Sequence, residues 1–466
     1  MIVPSLFDLC VDRTLDCLVA GVWNGCPENP FSQMPFSAVD KLMKTLTTRP
    51  CFCCCTNLYL LFSSGRLTWI DLNMRCPHHF CHTEIQKVIK MMTPKVCQNV
   101  RTLSVPSLDD EVIADLLRKC PKLECFRAFD FGMLGVLTNC PNLRSVRLEN
   151  PVSKPLHAFS WDSEKLSMFL RDLEIFDVFR LQDISGVHRK VANMLLHCPK
   201  LISLGQTDSS LPIEYIHERL DPHSLGTHRF ALKRAFWGKK YLFSDGMDYC
   251  EGEDTHSDYV NRYPDIIEKA ALSCPLLEQL IIKVYHRECI PHLRHLQRLN
   301  VLSIDFMCDD EDCVPTFLTL LRDIGHQLRH LSIDNWHKMP LNTICELCPY
   351  LLSLKIRGSA TVSEPVQNCK SLRSLKRLYA YNVDRKCLIY LLQNCVGLQV
   401  LGIDHAHHFD DDTLREVLEK NRLPDLKALH IGYSSLSIKG LEKLRESSLN
   451  LKNPYFFECL FDKYHF

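Results

Sequence analysis

Several signatures that mark whole classes of enzymes are absent from this sequence. It contains no Gly-rich phosphate-binding loop, no Gly-x-Ser-x-Gly nucleophile elbow and no His-Glu-x-x-His zinc-protease motif. Its histidines are scattered, and none has a cysteine or serine partner at a recognisable spacing. We therefore expect a protein that is not an enzyme and that needs no cofactor.

An excess of charge and long apolar runs are missing too. Lys plus Arg and Asp plus Glu number 55 each, so the formal net charge is zero. Nucleic-acid-binding proteins concentrate positive charge, so we expect no nucleic-acid partner. The most apolar stretch, Cys51 to Phe62, is too short to span a membrane. The first helix carries Asp8 and Asp12 without a basic leader, which argues against a signal peptide.

Cysteine, in contrast, is abundant, with 25 residues. In a small secreted domain such a count would indicate a disulfide framework, but this chain is long and shows no export signal. Many of the cysteines recur at one position of a repeated motif, where a thiol serves as a small buried apolar group. We therefore expect a reducing compartment, the cytoplasm or the nucleus.

The repeated motif is Cys-Pro-x-Leu followed by an alternating apolar stretch. Most of its copies lie about 20 to 33 residues apart, which is the spacing of leucine-rich repeats. A unit this short cannot bury its own apolar face and must stack on its neighbours. The sequence therefore predicts an α/β leucine-rich-repeat solenoid, with parallel strands on the concave face and helices on the convex face. The clearest copies begin at Cys120, Cys140, Cys198, Cys274 and Cys348.

The repeats divide the chain into three predicted zones. Residues 1–64 form a helical module, residues 65–453 carry the repeats, and residues 454–466 form a C-terminal cap. A loop at residues 238–262 is inserted into one repeat. Acidic triplets recur between strand and helix, where we expect them to cap helix N-termini. The triplets are Asp109 to Glu111, Asp309 to Glu311 and Asp410 to Asp412.

Two clusters contain metal-ligand residue types. Cys51 to Cys55 with Cys76 to His82 offer soft ligands for zinc, and buried structural thiols are the alternative that we favour. Asp404, His405, His407 and His408 lie together after another strand, where helix capping is favoured over surface metal binding.

The N-terminal module contains two amphipathic helices. Ser5 and Asp8 form a capping box, so the first helix should begin at Leu6. One stripe of this helix contains Leu6, Cys10 and Thr14, with Leu9 and Cys17 beside it, and a second contains Phe7, Val11, Leu15 and Leu18. A helix that is apolar on two sides is expected to pack against the repeats on one side and to contact a partner with the other. Pro35 starts the second helix.

At these residues the sequence resembles a known family. The pattern Ser5-Leu6-x-x-x-Cys10 resembles an elongin B/C box, and Met34-Pro35-x-x-Ala38-x-x-x-Leu42 resembles the cullin-2 box that follows it. Together they form the von Hippel–Lindau box of substrate receptors for cullin-2 ubiquitin ligases, and the pairing with leucine-rich repeats is similar to the zyg-eleven and zer-one proteins. The resemblance implies elongin contacts at Leu6, Leu9 and Cys10, cullin contacts at Pro35, Ala38 and Leu42, and a substrate bound by the repeats.

The predicted strands place aromatic and charged side chains on the concave face, and such residues are frequent energetic anchors of interfaces. Two other functions stay open at this point. One is an F-box-like adaptor in which the same helices bind a Skp-type protein; the other is an interaction scaffold whose N-terminal helices only cap the repeats. The predicted substrate contacts are Trp336, Lys355, Arg357, Tyr379 and Tyr381.

Overall fold

The computed structural model describes most of the chain and forms two compact units, Met1–Thr207 and Asp208–Phe466. The division falls within the predicted repeat zone. The predicted zinc cluster, most of the predicted insertion and the predicted C-terminal cap lie outside the described residues. Those described are 5–47, 58–72, 88–90, 92–128, 134–148, 171–178, 187–220, 228–238, 256–308, 312–362, 370–448 and 450–451.

The first unit begins with helices and continues as a parallel sheet. Each strand pairs with the next one along the chain, and a helix or turn connects them. Its helices are α1 (Leu6–Val19), α2 (Phe36–Thr47), α3 (Leu58–Ser63), α4 (Pro94–Cys97), α5 (Asp110–Arg118) and α6 (Val187–His197). Its strands are β1 (Trp69–Asp71), β2 (Thr102–Val105), β3 (Cys125–Ala128), β4 (Ser145–Leu148), β5 (Ile175–Val178) and β6 (Ser203–Asp208), which ends at the division.

The second unit repeats the same arrangement with longer strands. Every neighbouring pair is parallel. Its helices are α7 (Ser210–Tyr215), α8 (His256–Ser273), α9 (Cys313–Ile324), α10 (Leu341–Leu347), α11 (Lys370–Ser374), α12 (Arg385–Asn394), α13 (Asp411–Lys420) and α14 (Ile438–Ser447). Its strands are β7 (Arg234–Trp237), β8 (Gln279–Val284), β9 (Val301–Phe306), β10 (His330–Pro340), β11 (Ser353–Thr361), β12 (Arg377–Tyr381), β13 (Val400–Asp404) and β14 (Ala428–Ile431).

Parallel strands in chain order, each joined to the next by a helical or turn segment, confirm the predicted leucine-rich-repeat solenoid. No helix in the described ranges combines the length and apolar character that a membrane crossing requires.

The Cys-Pro-x-Leu motif builds the turn that leads into each strand. The amide of Leu123 donates to the carbonyl of Cys120 at 3.2 Å, and the amide of Leu277 donates to the carbonyl of Cys274 at 3.2 Å. Proline follows each of these cysteines and fixes the φ angle that the second position of such a turn needs. Both thiols are buried. The motif therefore sets the phase of the repeat, because it fixes which residue begins the next strand.

Helix α8 begins inside the predicted inserted loop at residues 238–262. The helix starts at His256, so residues 256–262 are helical and not part of a loop. Its apolar residues Tyr263, Ile266, Ile267 and Ala270 are all buried. Their spacing of three or four residues places them on one face of the helix, and this packing stabilises it.

The acidic triplets differ in what they cap. Asp410 is the N-cap of α13, and its Oδ1 accepts a hydrogen bond from the Thr413 amide at 2.8 Å. Asp109 occupies the same position before α5, but its side chain makes no capping hydrogen bond. The predicted cap is therefore confirmed for Asp410. The triplet at residues 109–111 also lies at a helix N-terminus, with Asp110 and Glu111 in the first turn of α5, and only the predicted hydrogen bond of Asp109 is wrong. The triplet at residues 309–311 lies outside the described residues.

Candidate functional site

The first candidate site is the exposed face of α1. Ser5 caps the helix: its Oγ accepts from the Asp8 amide at 3.1 Å and donates to Asp8 Oδ2 at 2.7 Å. Lys41 of α2 places its Nζ 3.1 Å from the other carboxylate oxygen of Asp8. The Ser5 hydroxyl, and then the Lys41 ammonium, lower the pKa of Asp8. The predicted start at Leu6 is confirmed, and the cap and ion pair hold the first turn of α1 against α2.

The two sides of α1 have opposite environments. Val11, Leu15 and Leu18 are buried with exposed fractions of 5%, 0% and 0%. Leu6 and Leu9 are exposed to 78% and 52%, and Cys10 is exposed as well. The structure thus brings together the three residues predicted to contact elongin. We refer to the exposed set Leu6, Leu9 and Cys10 as the α1 ridge.

Phe7 departs from the prediction for the second stripe of α1. Its side chain is 51% exposed, although the stripe to which it was assigned is otherwise buried. Phe7 lies one turn before Val11, where the packed part of the helix begins. It therefore enlarges the exposed apolar surface beside the α1 ridge, and the sequence pattern gave no sign of this.

The fold exposes one of the three predicted cullin contacts and buries the other two. Pro35 is exposed and precedes α2, where its carbonyl accepts from the amides of Ala38 and Val39 at 3.0 and 3.2 Å. Ala38 and Leu42 are buried, with exposed fractions of 8% and 1%. This packing does not present Ala38 and Leu42 to a partner, because both belong to the apolar stripe that joins α2 to the core. Pro35 remains a predicted contact.

The second candidate site is the outer face of strands β11 and β12. The parallel register pairs Lys355 with Tyr379 and Arg357 with Tyr381. Arg357 is exposed, and its guanidinium carbon lies 4.8 Å from the centroid of the Tyr381 ring. Lys355 Nζ lies 3.6 Å from Asp334 Oδ1 on the neighbouring strand. Four of the five predicted substrate contacts therefore form one patch.

Trp336 is the fifth predicted contact, and the structure corrects its placement. Its side chain is only 4% exposed, and its ring packs edge-on against Phe306 with centroids 4.0 Å apart. Asn335 adopts a positive φ of 57°, and the pairing of β10 with β11 shifts between Asp334 and Trp336. This bulge breaks the alternation of a regular strand, so Trp336 turns into the core.

A row of four side chains extends this patch from Arg357 within β11 to the last residue of β12 and to residues just after β13 and β14. Arg357 stacks on Tyr381, Tyr381 lies 4.7 Å from His405, and His405 lies 4.5 Å from Tyr433 between ring centroids. These separations match the spacing of about 4.8 Å between neighbouring strands. We call these four residues the strand-end row. His405 belongs to the candidate metal cluster that the sequence predicts. Its place in this stack could not be read from the sequence, because the stack depends on pairing between strands.

The candidate metal cluster of Asp404, His405, His407 and His408 gains no support as a metal site. Among the described residues, no group of three or more His, Cys, Asp or Glu side chains converges as a metal site would require. Asp404 Oδ1 instead accepts from the His405 amide at 2.9 Å, and the His405 ring stacks between two tyrosines.

Comparison with known proteins gives partial likenesses. No protein-family model matches the chain. The F-box protein SKIP1 of Arabidopsis thaliana is 26% identical over 142 residues, which cover 26% of this chain and 47% of that protein. The chain thus spans about half the length of this curated relative.

Solved structures are similar at lower identity. The yeast complex of Rad7 and Elc1 contains a chain that is 15% identical, with 94% of this chain and 96% of that chain covered and a TM-score of 0.44. A leucine-rich-repeat protein of Leptospira interrogans is 11% identical, with 86% and 92% covered and a TM-score of 0.32.

Proposed function

We propose that this chain is the substrate-recognition subunit of a cullin-RING ubiquitin ligase. In this proposal α1 docks on elongin B/C, the N-terminal module meets cullin-2, and the repeats hold a protein substrate. The chain itself contributes binding and positioning, and no chemistry of its own. The observation that carries the proposal is the α1 ridge: three apolar residues are exposed on a helix whose opposite side is fixed in the core.

An exposed apolar ridge on a fixed helix suits a partner with a hydrophobic groove. Burial of one leucine side chain contributes roughly 1.5–3 kcal/mol to such an association. Helices that bind in this way present anchors at intervals of three and four residues, as Leu6, Leu9 and Cys10 do. The Ser5 cap and the pair between Asp8 and Lys41 order the helix before binding, which lowers the entropic cost of association.

The proposal is tested with purified full-length protein and elongin B/C. Leu6→Ala combined with Cys10→Ala removes apolar contact area, and we expect adaptor affinity to fall by about tenfold or more. Val22→Ala is the matched control, because Val22 is an apolar residue of the same module that is 61% exposed but lies outside the ridge. Unchanged affinity in the double variant, or equal losses in the double variant and the control, would contradict the proposal.

A second function is favoured by the similarity to an F-box protein. In this alternative the same N-terminal helices bind a Skp-type adaptor, and a different cullin completes the ligase. Affinity purification from cells separates the two by which adaptor is recovered with the wild-type chain and lost with the ridge variant. Recovery of neither adaptor would support the third possibility, an interaction scaffold unconnected with a ligase.

We also propose that the protein works in the cytoplasm or the nucleus. The cysteines in the described part of the chain form no disulfides, and most of those in the repeats are buried. A reducing compartment keeps such thiols unpaired. Fluorescence microscopy of the tagged chain tests this placement, and accumulation in the secretory pathway would contradict it.

A further inference from the structure

Two cysteines face each other between the end of β9 and the start of α9. Cys308 lies two residues after β9, Cys313 is the first residue of α9, and their Sγ atoms are 3.1 Å apart. A disulfide bond brings two sulfur atoms to about 2.05 Å, so this bond can close with a shift of about 1 Å. The side chain of Cys308 is half-buried, whereas that of Cys313 is buried. One thiol is therefore accessible to a small reagent, and the second is in contact with it.

The surrounding packing fixes both cysteines in this position. Two residues before Cys308, the Phe306 ring packs edge-on against Phe317 of α9, with centroids 5.6 Å apart. The amide of Met307 donates to the carbonyl of Val284 on β8 at 2.9 Å. These contacts hold the end of β9 against the start of α9. The two sulfur atoms therefore react without a rearrangement of the fold, which favours their reaction over that of unconstrained thiols.

A third thiol, Cys289, interacts electrostatically with Cys308 but is a poorer reaction partner. Its side chain is fully buried, and burial raises the pKa of this thiol to about 12. A thiol attacks another sulfur atom as the thiolate, so Cys289 stays inert near neutral pH. Cys313 is in contact with Cys308 and begins a helix of 12 residues, where the positive end of the helix dipole stabilises an anion. The geometry therefore favours Cys313.

We propose that Cys308 and Cys313 form a reversible disulfide bond in the presence of hydrogen peroxide. The Cys308 thiolate attacks one peroxide oxygen, so an S–O bond forms, the O–O bond breaks and hydroxide leaves. The Cys313 thiolate then attacks the sulfur of this sulfenic acid, so the S–S bond forms and a second hydroxide leaves. The two thiol protons convert both hydroxides to water. Peroxide is thereby reduced and both cysteines are oxidised, and an added dithiol reverses the reaction by thiol–disulfide exchange.

A small neutral oxidant suits this pair better than glutathione disulfide, which is bulky and anionic. Cys308 is only partly accessible, and the four residues between the two cysteines in the sequence are all acidic. Acidic neighbours repel an anion. They also disfavour a thiolate, so we expect a slower reaction than at a cysteine beside a cation. Disulfides in reducing compartments are usually transient, which agrees with a bond that forms only under oxidation.

The experiment treats the full-length protein with hydrogen peroxide, blocks the remaining thiols with iodoacetamide and maps tryptic peptides by mass spectrometry. Trypsin releases Cys308 and Cys313 together in the peptide of residues 299–322. We expect this peptide to lose two hydrogen atoms and both of its alkylation sites. Dithiothreitol added before the blocking step should restore both sites. Oxidation of Met307 adds an oxygen atom to the same peptide and is therefore measured separately.

Cys308→Ser and Cys289→Ser are the matched variants. The first should abolish the bond, and the second should leave it unchanged. Cys313→Ser should leave the sulfenic acid of Cys308 unresolved, so that dimedone labels it. Cys97 and Cys120 are an internal control, because their thiols are also hydrogen-bonded to each other but both are fully buried. We expect these two thiols to stay reduced.

Several outcomes would overturn the proposal. They are full alkylation of both cysteines after peroxide treatment, a cross-link from the peptide 299–322 to the Cys289 peptide 288–294, and equal oxidation of Cys97 and Cys120. Preferential addition of glutathione to Cys308 from glutathione disulfide would overturn it as well. The inference requires neither an adaptor nor a substrate, so it stands or falls independently of the proposed function.

Discussion

The carboxylate of Asp40 on α2 holds the backbone of Thr68 at the start of the first repeat strand. Its Oδ1 accepts from the amides of Thr68 and Trp69 at 2.9 and 3.1 Å, and its Oδ2 accepts from the Thr68 hydroxyl. One side chain thus connects the N-terminal helices to β1. The predicted adaptor-binding module is therefore attached to the repeats by specific hydrogen bonds as well as by apolar packing.

Asp40→Ala should loosen this attachment. The substitution leaves two backbone amides without their acceptor, and an unsatisfied donor of this kind costs about 1–3 kcal/mol. We expect faster hydrogen–deuterium exchange at Thr68 and Trp69 and a lower free energy of unfolding for the first unit. Asp425→Ala, at an exposed aspartate of the second unit, is the control. Unchanged exchange at both amides would show that the bonds do not hold the strand.

Substitutions on the two faces of α1 should have different effects on stability. Leu15→Ala creates a cavity at a fully buried position and should destabilise the first unit by about 2–5 kcal/mol. Leu6→Ala removes a side chain that is 78% exposed and should change stability by less than about 0.5 kcal/mol. Denaturant unfolding of the two variants measures both effects. A large loss of stability in Leu6→Ala would mean that its side chain belongs to the core.

The buried thiols should make the protein sensitive to alkaline pH. Burial raises the pKa of Cys274 to about 12, from an ordinary value of 9.0. The unfolded chain ionises this thiol near pH 9.0 while the folded chain keeps it neutral, so its effect on stability is absent below that pH and destabilising above it. Between the two pKa values, unfolding becomes easier by about 1.4 kcal/mol per pH unit for such a thiol.

Thermal unfolding at pH 8 and pH 10 measures this alkaline loss. Other groups also titrate in this range, so the contribution of Cys274 is obtained by comparing variants. Cys274→Ala should lose less stability than the wild type between the two pH values. Cys26→Ala, at an exposed cysteine, should lose as much as the wild type. Equal losses in all three proteins would contradict the assignment.

The two aspartates that precede α13 and α5 should respond differently to the same substitution. Asp410→Ala removes the acceptor of the Thr413 amide and should cost about 1 kcal/mol. Asp109→Ala should cost little, because its side chain makes no capping bond. The Thr413 amide lowers the pKa of Asp410, so the stability from this cap is present above the ordinary value of 3.8 and lost as the pH falls below it. Urea unfolding at neutral and acidic pH measures both effects, and equal costs in the two variants would exclude a specific cap.

Much of the candidate adaptor site was predictable because it depends on local rules. The capping box fixed the start of α1 at Leu6, and helical periodicity placed Leu6, Leu9 and Cys10 on one face. Periodicity alone did not decide which apolar face would be covered. The structure buries the stripe of Val11, Leu15 and Leu18 and exposes the ridge, because burial depends on the position of α2 and not on the helix itself.

At the candidate substrate face, the pattern along each strand predicted which side chains share a surface, and it failed at one residue. Strand alternation correctly placed Lys355, Arg357, Tyr379 and Tyr381 on one surface. It failed at Trp336, where the positive φ of Asn335 reverses the direction of the side chain. A bulge of this kind is set by the fit between neighbouring strands, and the alternation of residues along one strand contains no record of it.

The sequence by itself determined the repeat, its phase and its strands, because each of these follows from short-range chemistry: a cysteine and a proline fix a turn, and alternating apolar residues fix a strand. Only the tertiary structure decided which surfaces remain open. The stack of Arg357, Tyr381, His405 and Tyr433 joins residues from successive repeats that are 24 to 28 positions apart in the chain, and the pairing of neighbouring strands brings each within 5 Å of the next.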